Sequence, residues 1–183
     1  MKFPSGHVAQ ENSAAAERLA DAGYPYLVSG VLASRGVECA EDAAEFLTQE
    51  TSLTYSPFLM RDMDKAVERI AQAVAAGERI AIFGDYDVDG TTAVALVYSF
   101  IRRLTSSVDF YIPDRYDEGY GVSKKGIDWA AENGFRLIIT LDCGIKAIDK
   151  VEYAASKGID IIICDHHLPE SEIPAAGGGG GAG

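Results

Sequence analysis

Residues 79–90 read RIAIFGDYDVDG, an apolar run that ends in an acidic segment bounded by glycines. A short, nearly continuous apolar run is typical of a strand buried on both faces of a sheet. Three more such runs follow: VDFYI at 108–112, RLIITL at 136–141 and IDIIIC at 159–164. Segments with helical periodicity separate the runs, at 91–104, 123–134 and 146–158. This alternation predicts an α/β fold in which right-handed crossovers build a parallel sheet with helices on both faces.

The sequence before the first strand differs in character, because it is rich in alanine and glutamate at helical spacing. Helices are predicted at 14–22, 26–34, 41–47 and 62–76, and a linker around Pro57 at 51–60. We therefore expect a helical region over 1–77 and an α/β domain over 78–174 that is incomplete at its carboxyl end. The residues AAGGGGGAG at 175–183 are interpreted as a linker or an artefact.

Composition excludes several classes of protein. Of 183 residues, 48% are hydrophobic and 24% are charged, which is ordinary globular usage. This composition disfavours a disordered chain, a collagen-like repeat and a coiled-coil fibre. Lys and Arg number 16 against 28 Asp and Glu, so the net charge of −12 repels a polyanion on average. Any nucleic-acid contact is then local, metal-mediated or outside this chain. The three cysteines form no C-x-x-C pair, which favours a reducing cytoplasm, and no run approaches the roughly 18 apolar residues of a membrane span.

The first strand is followed by three alternating carboxylates, Asp85, Asp87 and Asp89. Carboxylates held this close repel one another, and a bound divalent cation is the most direct source of compensating charge. Oxygen ligands suit Mg²⁺ or Mn²⁺. A solvated acidic turn remains an alternative. A calcium loop is disfavoured, because Leu96 stands where that loop requires Glu.

Two later strands also end in polar residues. Asp142 follows the third strand, and Asp165, His166 and His167 follow the fourth. The carboxyl ends of parallel strands share one sheet edge, so three loops are expected to converge there. Adjacent side chains on an extended segment point in opposite directions, which favours one imidazole for a metal and the other for a substrate phosphate or an orienting contact. Two Mn²⁺ or Mg²⁺ ions at such a site suit phosphoryl hydrolysis.

The motifs DYDVDG at 85–90, DCGI at 142–145 and DHH at 165–167 resemble those of the DHH phosphoesterase superfamily. Within it the chain is most similar to the RecJ single-strand-specific DNA exonucleases, in the stretch from SPFLM to DYDVDG at 56–90 and in YIPDRYDEGYGVS at 111–123. The resemblance implies 5′-to-3′ hydrolysis of single-stranded DNA in repair and recombination, with two Mn²⁺ or Mg²⁺ ions. It also implies a single-strand-binding protein and a helicase as partners.

The resemblance assigns roles by motif position. The matches to metal ligands are Asp87, Asp89, Asp142 and His166, with Asp85 in the same cluster. Asp142 matches the ligand shared by two ions, and His167 matches the contact to the substrate phosphate. Arg115, beside EGYG, is a further candidate for a phosphate contact.

Two departures from the family pattern stand out. Phe83 occupies a position where some members carry a metal-binding histidine. Members of the family also have an acidic metal ligand downstream of DHH and then a second domain, whereas this sequence runs into glycines at 177–181. The isolated chain is therefore expected to digest DNA poorly.

Two other readings remain open. One is a related phosphodiesterase acting on short oligonucleotides or cyclic dinucleotides, or an inorganic pyrophosphatase. The other is a non-catalytic scaffold of a replication or repair assembly, against which the intact aspartates and histidines speak.

Overall fold

The computed structural model describes residues 12–48 and 54–175, which fall into two compact units divided between Thr54 and Tyr55. Most of the glycine-rich stretch at 175–183 and part of the predicted linker at 51–60 lie outside the described residues. The first unit holds three helices: α1 (Ser13–Asp21), α2 (Tyr26–Ser34) and α3 (Ala40–Leu47). They enclose a small core around Ala15, Leu19, Leu32 and Ala43. The predicted helical region at the amino end of the chain is confirmed.

The second unit alternates helices and strands. Its elements are a 3₁₀ turn (Pro57–Leu59), α4 (Met63–Ala76), β1 (Arg79–Gly84), α5 (Val88–Ile101), β2 (Val108–Tyr111), α6 (Lys124–Glu132), β3 (Phe135–Leu141), α7 (Ile148–Ser156) and β4 (Asp160–Cys164). Each strand lies within one residue of its predicted bounds. Helix α5 begins earlier than predicted, because Asp87 caps it and draws Asp89 into its first turn.

The four strands are all parallel, in the order β2-β1-β3-β4. The chain passes from β1 outward to β2, and then returns across β1 to place β3 on its other side. The direction of winding therefore reverses between β1 and β3. In open α/β sheets, ligands bind at the carboxyl ends of the strands at this reversal.

Alternate strand residues pack on opposite faces of the sheet. Ile80, Ile82 and Leu137 face α4 and α5 in one core cluster. Phe83 and Ile138 face α6 and α7 in another. The predicted parallel sheet with helices on both faces is thus confirmed.

The division between the two units differs from the boundary at Gly77 that the sequence suggested. Ala66 and Ala73 of α4 are buried in the same cluster as Ile80 and Val94, so α4 packs on the sheet. An amphipathic pattern shows that a helix has an apolar face but not what that face covers. Among the described residues, no helix is long and apolar enough to cross a bilayer.

Candidate metal centre

Asp142 follows β3 directly and is held in an unusual backbone conformation. Its φ of 59° is left-handed, which is uncommon for a residue other than glycine. Its N–H donates to the carbonyl of Cys164 at 2.8 Å. Its carbonyl accepts from the Tyr120 hydroxyl at 2.9 Å. Contacts from β4 and from the loop after β2 therefore fix this residue at the winding reversal.

Asp142, His166 and His167 form a compact group of potential metal ligands. One ligand atom from each residue lies within 4.8 Å of the others. Oδ1 of Asp142 is 2.9 Å from Nε2 of His166 and 4.0 Å from Nδ1 of His167. That oxygen is buried and, although Nε2 of His166 lies at 2.9 Å, it accepts no well-directed hydrogen bond from the described residues. Because a buried carboxylate oxygen without a partner is costly, the site fits a divalent cation, which supplies the missing partner.

Asp85, at the end of β1, carries a second oxygen of this kind. Its side chain is fully buried, and Oδ1 accepts from the Gly121 amide at 3.2 Å. Oδ2 is also buried and has no hydrogen-bond partner among the described residues. The two unsatisfied oxygens thus follow β1 and β3, the strands on either side of the winding reversal.

The other two aspartates after β1 are placed differently. Asp87 caps α5, with Oδ1 accepting from the Gly90 amide at 2.9 Å. Asp89 is exposed in the first turn of α5 and lines a cleft of about 440 Å³ together with Asp142 and His166. Within the described chain, the compact ligand group contains none of the three aspartates after β1. The structure brings them to the predicted edge but not into that group.

Asp165 orients His167. Its buried carboxylate accepts from the amides of Ile145 and His167, each at 3.0 Å, and lies 2.7 Å from Nδ1 of His167. Burial alone would raise the pKa of Asp165, but these hydrogen bonds outweigh it and lower the pKa. The hydrogen bond with Asp165 in turn raises the pKa of His167. With Nδ1 engaged, Nε2 of His167 is the atom left for a ligand.

Tyr120 links the loop after β2 to the same place. Its hydroxyl lies 3.4 Å from Nε2 of His167, and its ring meets the imidazole edge-on at 6.0 Å. Burial and then the charges of Asp142 and Asp85 raise the pKa of this phenol, so it stays a donor. Sequence reasoning missed Tyr120, because no local pattern shows that a loop tyrosine reaches another strand's end. It gave Asp165 no role either, although the Asp-x-His spacing offered a signal.

Arg115 does not touch the ligand group. Its guanidinium lies over the Tyr86 ring at 5.2 Å, and Tyr86 meets Tyr120 edge-on at 6.2 Å. The exposed cation is thus connected to His167 through two aromatic rings. No ion pair of Arg115 occurs in the described parts of the chain.

Two neighbouring residues supply no chemistry. Phe83 is completely buried and stacks on Tyr111 at 5.0 Å, so the position where some family members carry histidine is part of the apolar core. Cys143 is also buried, and burial raises the pKa of its thiol well above the usual range. A thiol with that pKa is a poor nucleophile.

The fold and this cluster define a doubly wound α/β protein with a candidate metal centre where the winding reverses. The chain belongs to the DHH family: its residues 79–178 match the DHH family, N-terminal domain.

The most informative relatives are exonucleases. The chain is 44% identical over 148 residues to the single-stranded-DNA-specific exonuclease RecJ of Bacillus subtilis, a match that covers 81% of this chain and 19% of that protein. It is 39% identical over 153 residues to the protein of that name from Escherichia coli, covering 83% and 26%. A crystal structure of exonuclease RecJ bound to manganese is similar with a TM-score of 0.60 at 31% identity, covering 64% and 30%. The chain thus spans about a fifth to a quarter of these curated relatives.

Proposed function

We propose that the chain is the catalytic portion of a RecJ-like exonuclease, which hydrolyses phosphodiester bonds of single-stranded DNA with divalent metal ions. The observation that carries the proposal is the pair of buried, unsatisfied oxygens of Asp85 and Asp142 beside His166 and His167. The names of the relatives support the substrate, and the manganese in a solved relative supports the metal.

Five residues hold the ions in this proposal: Asp85, Asp87, Asp89, Asp142 and His166. Asp142 is central, because its oxygen already lies near His166 and its backbone is fixed by two neighbouring elements. Bound Mn²⁺ or Mg²⁺ lowers the pKa of water and neutralises charge on phosphoryl oxygens. Asp89 lines the same cleft as Asp142 and reaches the site from α5.

His167 and Arg115 contact the substrate phosphates. The proton on Nδ1 of His167 is held by Asp165, which leaves Nε2 to meet a phosphoryl oxygen. Arg115 supplies a guanidinium on a loop held through Tyr86 and Tyr120. His167 belongs to the ligand group and Arg115 lies outside it, and in this proposal both residues bind phosphate.

The wider setting follows from the family resemblance. We place the activity in the cytoplasm, in DNA repair and recombination, with 5′-to-3′ polarity and with a single-strand-binding protein and a helicase as partners. The free thiols of Cys39, Cys143 and Cys164 support a reducing compartment. The α/β domain at 78–174 carries the catalytic motifs in this proposal.

Metal binding is tested by thermal unfolding with and without Mn²⁺. A ligand at 100 times its dissociation constant stabilises a protein by about 2.7 kcal/mol, so the wild type is expected to gain several degrees. D142N is expected to gain nothing. D109N is the matched control, because Asp109 lies on β2 and, within the described residues, its carboxylate accepts only from the amide of the next residue. A wild type without any Mn²⁺-dependent gain would favour the scaffold reading.

Catalysis is tested on single strands labelled at the 5′ or the 3′ end. The wild type is expected to release nucleotides slowly from the 5′ end and D142N to release none, while D109N behaves as wild type. Turnover confined to pyrophosphate, cyclic dinucleotides or dinucleotides would replace the exonuclease proposal with another activity of the family.

A further inference from the structure

A second cleft is lined by His167, at the same sheet edge as the cleft beside Asp142 and His166. It measures about 370 Å³, and its lining includes Tyr120, Gly144, Lys146, Asp149, Lys150 and His167. The cleft beside Asp142 and His166 is lined mostly by apolar side chains, and its charged lining comes from Asp89, Asp142, Asp165, His166 and Arg61. The two clefts therefore differ in their charged residues: three aspartates and one arginine line the first, whereas two lysines and one aspartate line the second, which we call the Lys146 cleft.

Lys146 carries the uncompensated charge of this cleft. Nζ of Lys150 is paired with Oδ2 of Asp149 at 2.7 Å, which cancels one of the two lysine charges. The charge of Lys124 also acts on Asp149. Lys146 is exposed and has no carboxylate partner among the residues that the structure describes. Its charge acts on His167, where it opposes the rise in the imidazole pKa. A net positive charge thus adjoins the candidate metal centre.

The backbone before Lys146 is built to hold it there. Gly144 has a φ of 111°, and a Cβ at this position would lie 2.9 Å from Oγ1 of Thr140. Oγ1 of Thr140 donates to the carbonyl of Cys143 at 2.9 Å, and the Ile145 amide donates to Asp165. This tight turn binds the start of the β3–α7 connection to the ends of β3 and β4. Lys146 follows it directly and shares the sheet edge with His167.

We propose that the Lys146 cleft binds a second phosphate of the DNA strand, next to the phosphate being cleaved. The inference rests on the proposed function, since it needs a polyanionic strand at the metal centre. His167 belongs to the ligand group and also lines the Lys146 cleft, so in this proposal it contacts the cleaved phosphate, while Lys146 contacts its neighbour. Tyr120, half exposed, lines this cleft, and its hydroxyl lies 3.4 Å from Nε2 of His167. Lys146 then explains how a chain with a charge of −12 holds a strand locally.

The test is equilibrium binding of a fluorescein-labelled oligo(dT) by anisotropy, in Ca²⁺, with the oligonucleotide checked for integrity on a gel. K146Q is expected to bind about threefold to tenfold more weakly than wild type. The slope of log K against log salt is expected to fall in size by about 0.7, the value for one phosphate contact on a single strand. K157Q is the matched control, because it removes a lysine beyond the other end of α7 and is expected to bind within twofold of wild type.

The position of the bound phosphate is tested by removing phosphates one at a time. Oligonucleotides with a methylphosphonate at the first or the second linkage, or with a 5′-hydroxyl in place of a 5′-phosphate, are compared in both proteins. The phosphate held by Lys146 is the one whose removal weakens wild-type binding but not K146Q binding. If the methylphosphonate at the second linkage weakens binding only in wild type, Lys146 holds an internal phosphate. If loss of the 5′-phosphate does so, Lys146 holds the terminal one.

The outcomes separate this inference from the exonuclease proposal. The proposal that the Lys146 cleft binds a phosphate is overturned by any of three results. These are K146Q binding within twofold of wild type, an unchanged salt slope, and no binding by wild type. If Lys146-dependent binding is found but no strand is hydrolysed, the cleft stands and the exonuclease proposal fails.

Discussion

At the residue scale, Asp142 combines features that weaken a fold. A non-glycine residue in the left-handed region costs on the order of 1–3 kcal/mol. Its Oδ1 is buried without a hydrogen bond, and Asp85 carries a second such oxygen. These costs are tolerated because the backbone around Asp142 is bonded to Cys164 and Tyr120. An unfavourable arrangement maintained in this way indicates a ligand site.

Replacing Asp142 with Asn is expected to stabilise the metal-free protein while it abolishes stabilisation by Mn²⁺. The amide is uncharged, and Asn tolerates the left-handed conformation that Asp142 adopts. Removal of the buried negative charge is expected to be worth about 1–3 kcal/mol, measured by urea unfolding in EDTA. D109N is expected to change the unfolding free energy by less than about 0.5 kcal/mol. A metal-free D142N protein that is clearly less stable than wild type would show that the carboxylate has a structural role instead.

At the element scale, the connection from β2 to α6 is held by a single buried acid. The Glu118 side chain is 3% exposed and accepts from the Tyr111 hydroxyl at 2.8 Å, from the Asp114 amide at 3.0 Å and from the Ser123 hydroxyl. Burial and the contact with Glu118 raise the pKa of Tyr111 to about 12, so the phenol remains a donor. This network fixes both ends of the loop that presents Tyr120 at the metal centre.

The same network makes stability depend on pH. Burial alone would raise the pKa of Glu118, but the hydrogen bonds from Ser123, Asp114 and Tyr111 lower it below the ordinary value. Its contribution is therefore complete above the unfolded pKa of about 4.3 and is lost as pH falls through the folded pKa. Urea unfolding of wild type and E118Q is expected to show the largest difference above about pH 5, shrinking toward pH 3. A difference independent of pH would contradict this.

The turn from β1 into α5 depends on a close backbone approach. A Cβ on Gly90 would lie 2.6 Å from the backbone N and O of Asp85, neither of which can rotate away. G90A is therefore expected to destabilise the protein by about 1–3 kcal/mol or more, and to displace Asp85. T92A introduces the same residue on the exposed face of α5 and is expected to stay within about 0.5 kcal/mol of wild type. Equal unfolding free energies for the two variants would contradict the close approach.

At the scale of the whole molecule, the sequence predicts what its local patterns encode. The four apolar runs located the strands, and the acidic and histidine residues after three of them lie at one sheet edge as predicted, because parallel strands end at one edge. Roles that depend on long-range contacts were not predictable. Tyr120 reaches Asp142 from another loop, and α4 joins the sheet through Ala66 and Ala73, neither of which any local pattern signals.

The packing of α4 predicts where the chain can be shortened. A chain that begins at Tyr55 keeps both clusters on the sheet, because their buried members all lie in the second unit. It is expected to unfold cooperatively and to retain stabilisation by Mn²⁺. A chain that begins at Glu78 loses α4 and uncovers Ile80 and Ile82. Because each large buried apolar side chain contributes about 1.5–3 kcal/mol, the loss is expected to reach at least about 3 kcal/mol in urea unfolding. Equal unfolding free energies of the two chains would instead show that the folded α/β domain begins after Gly77.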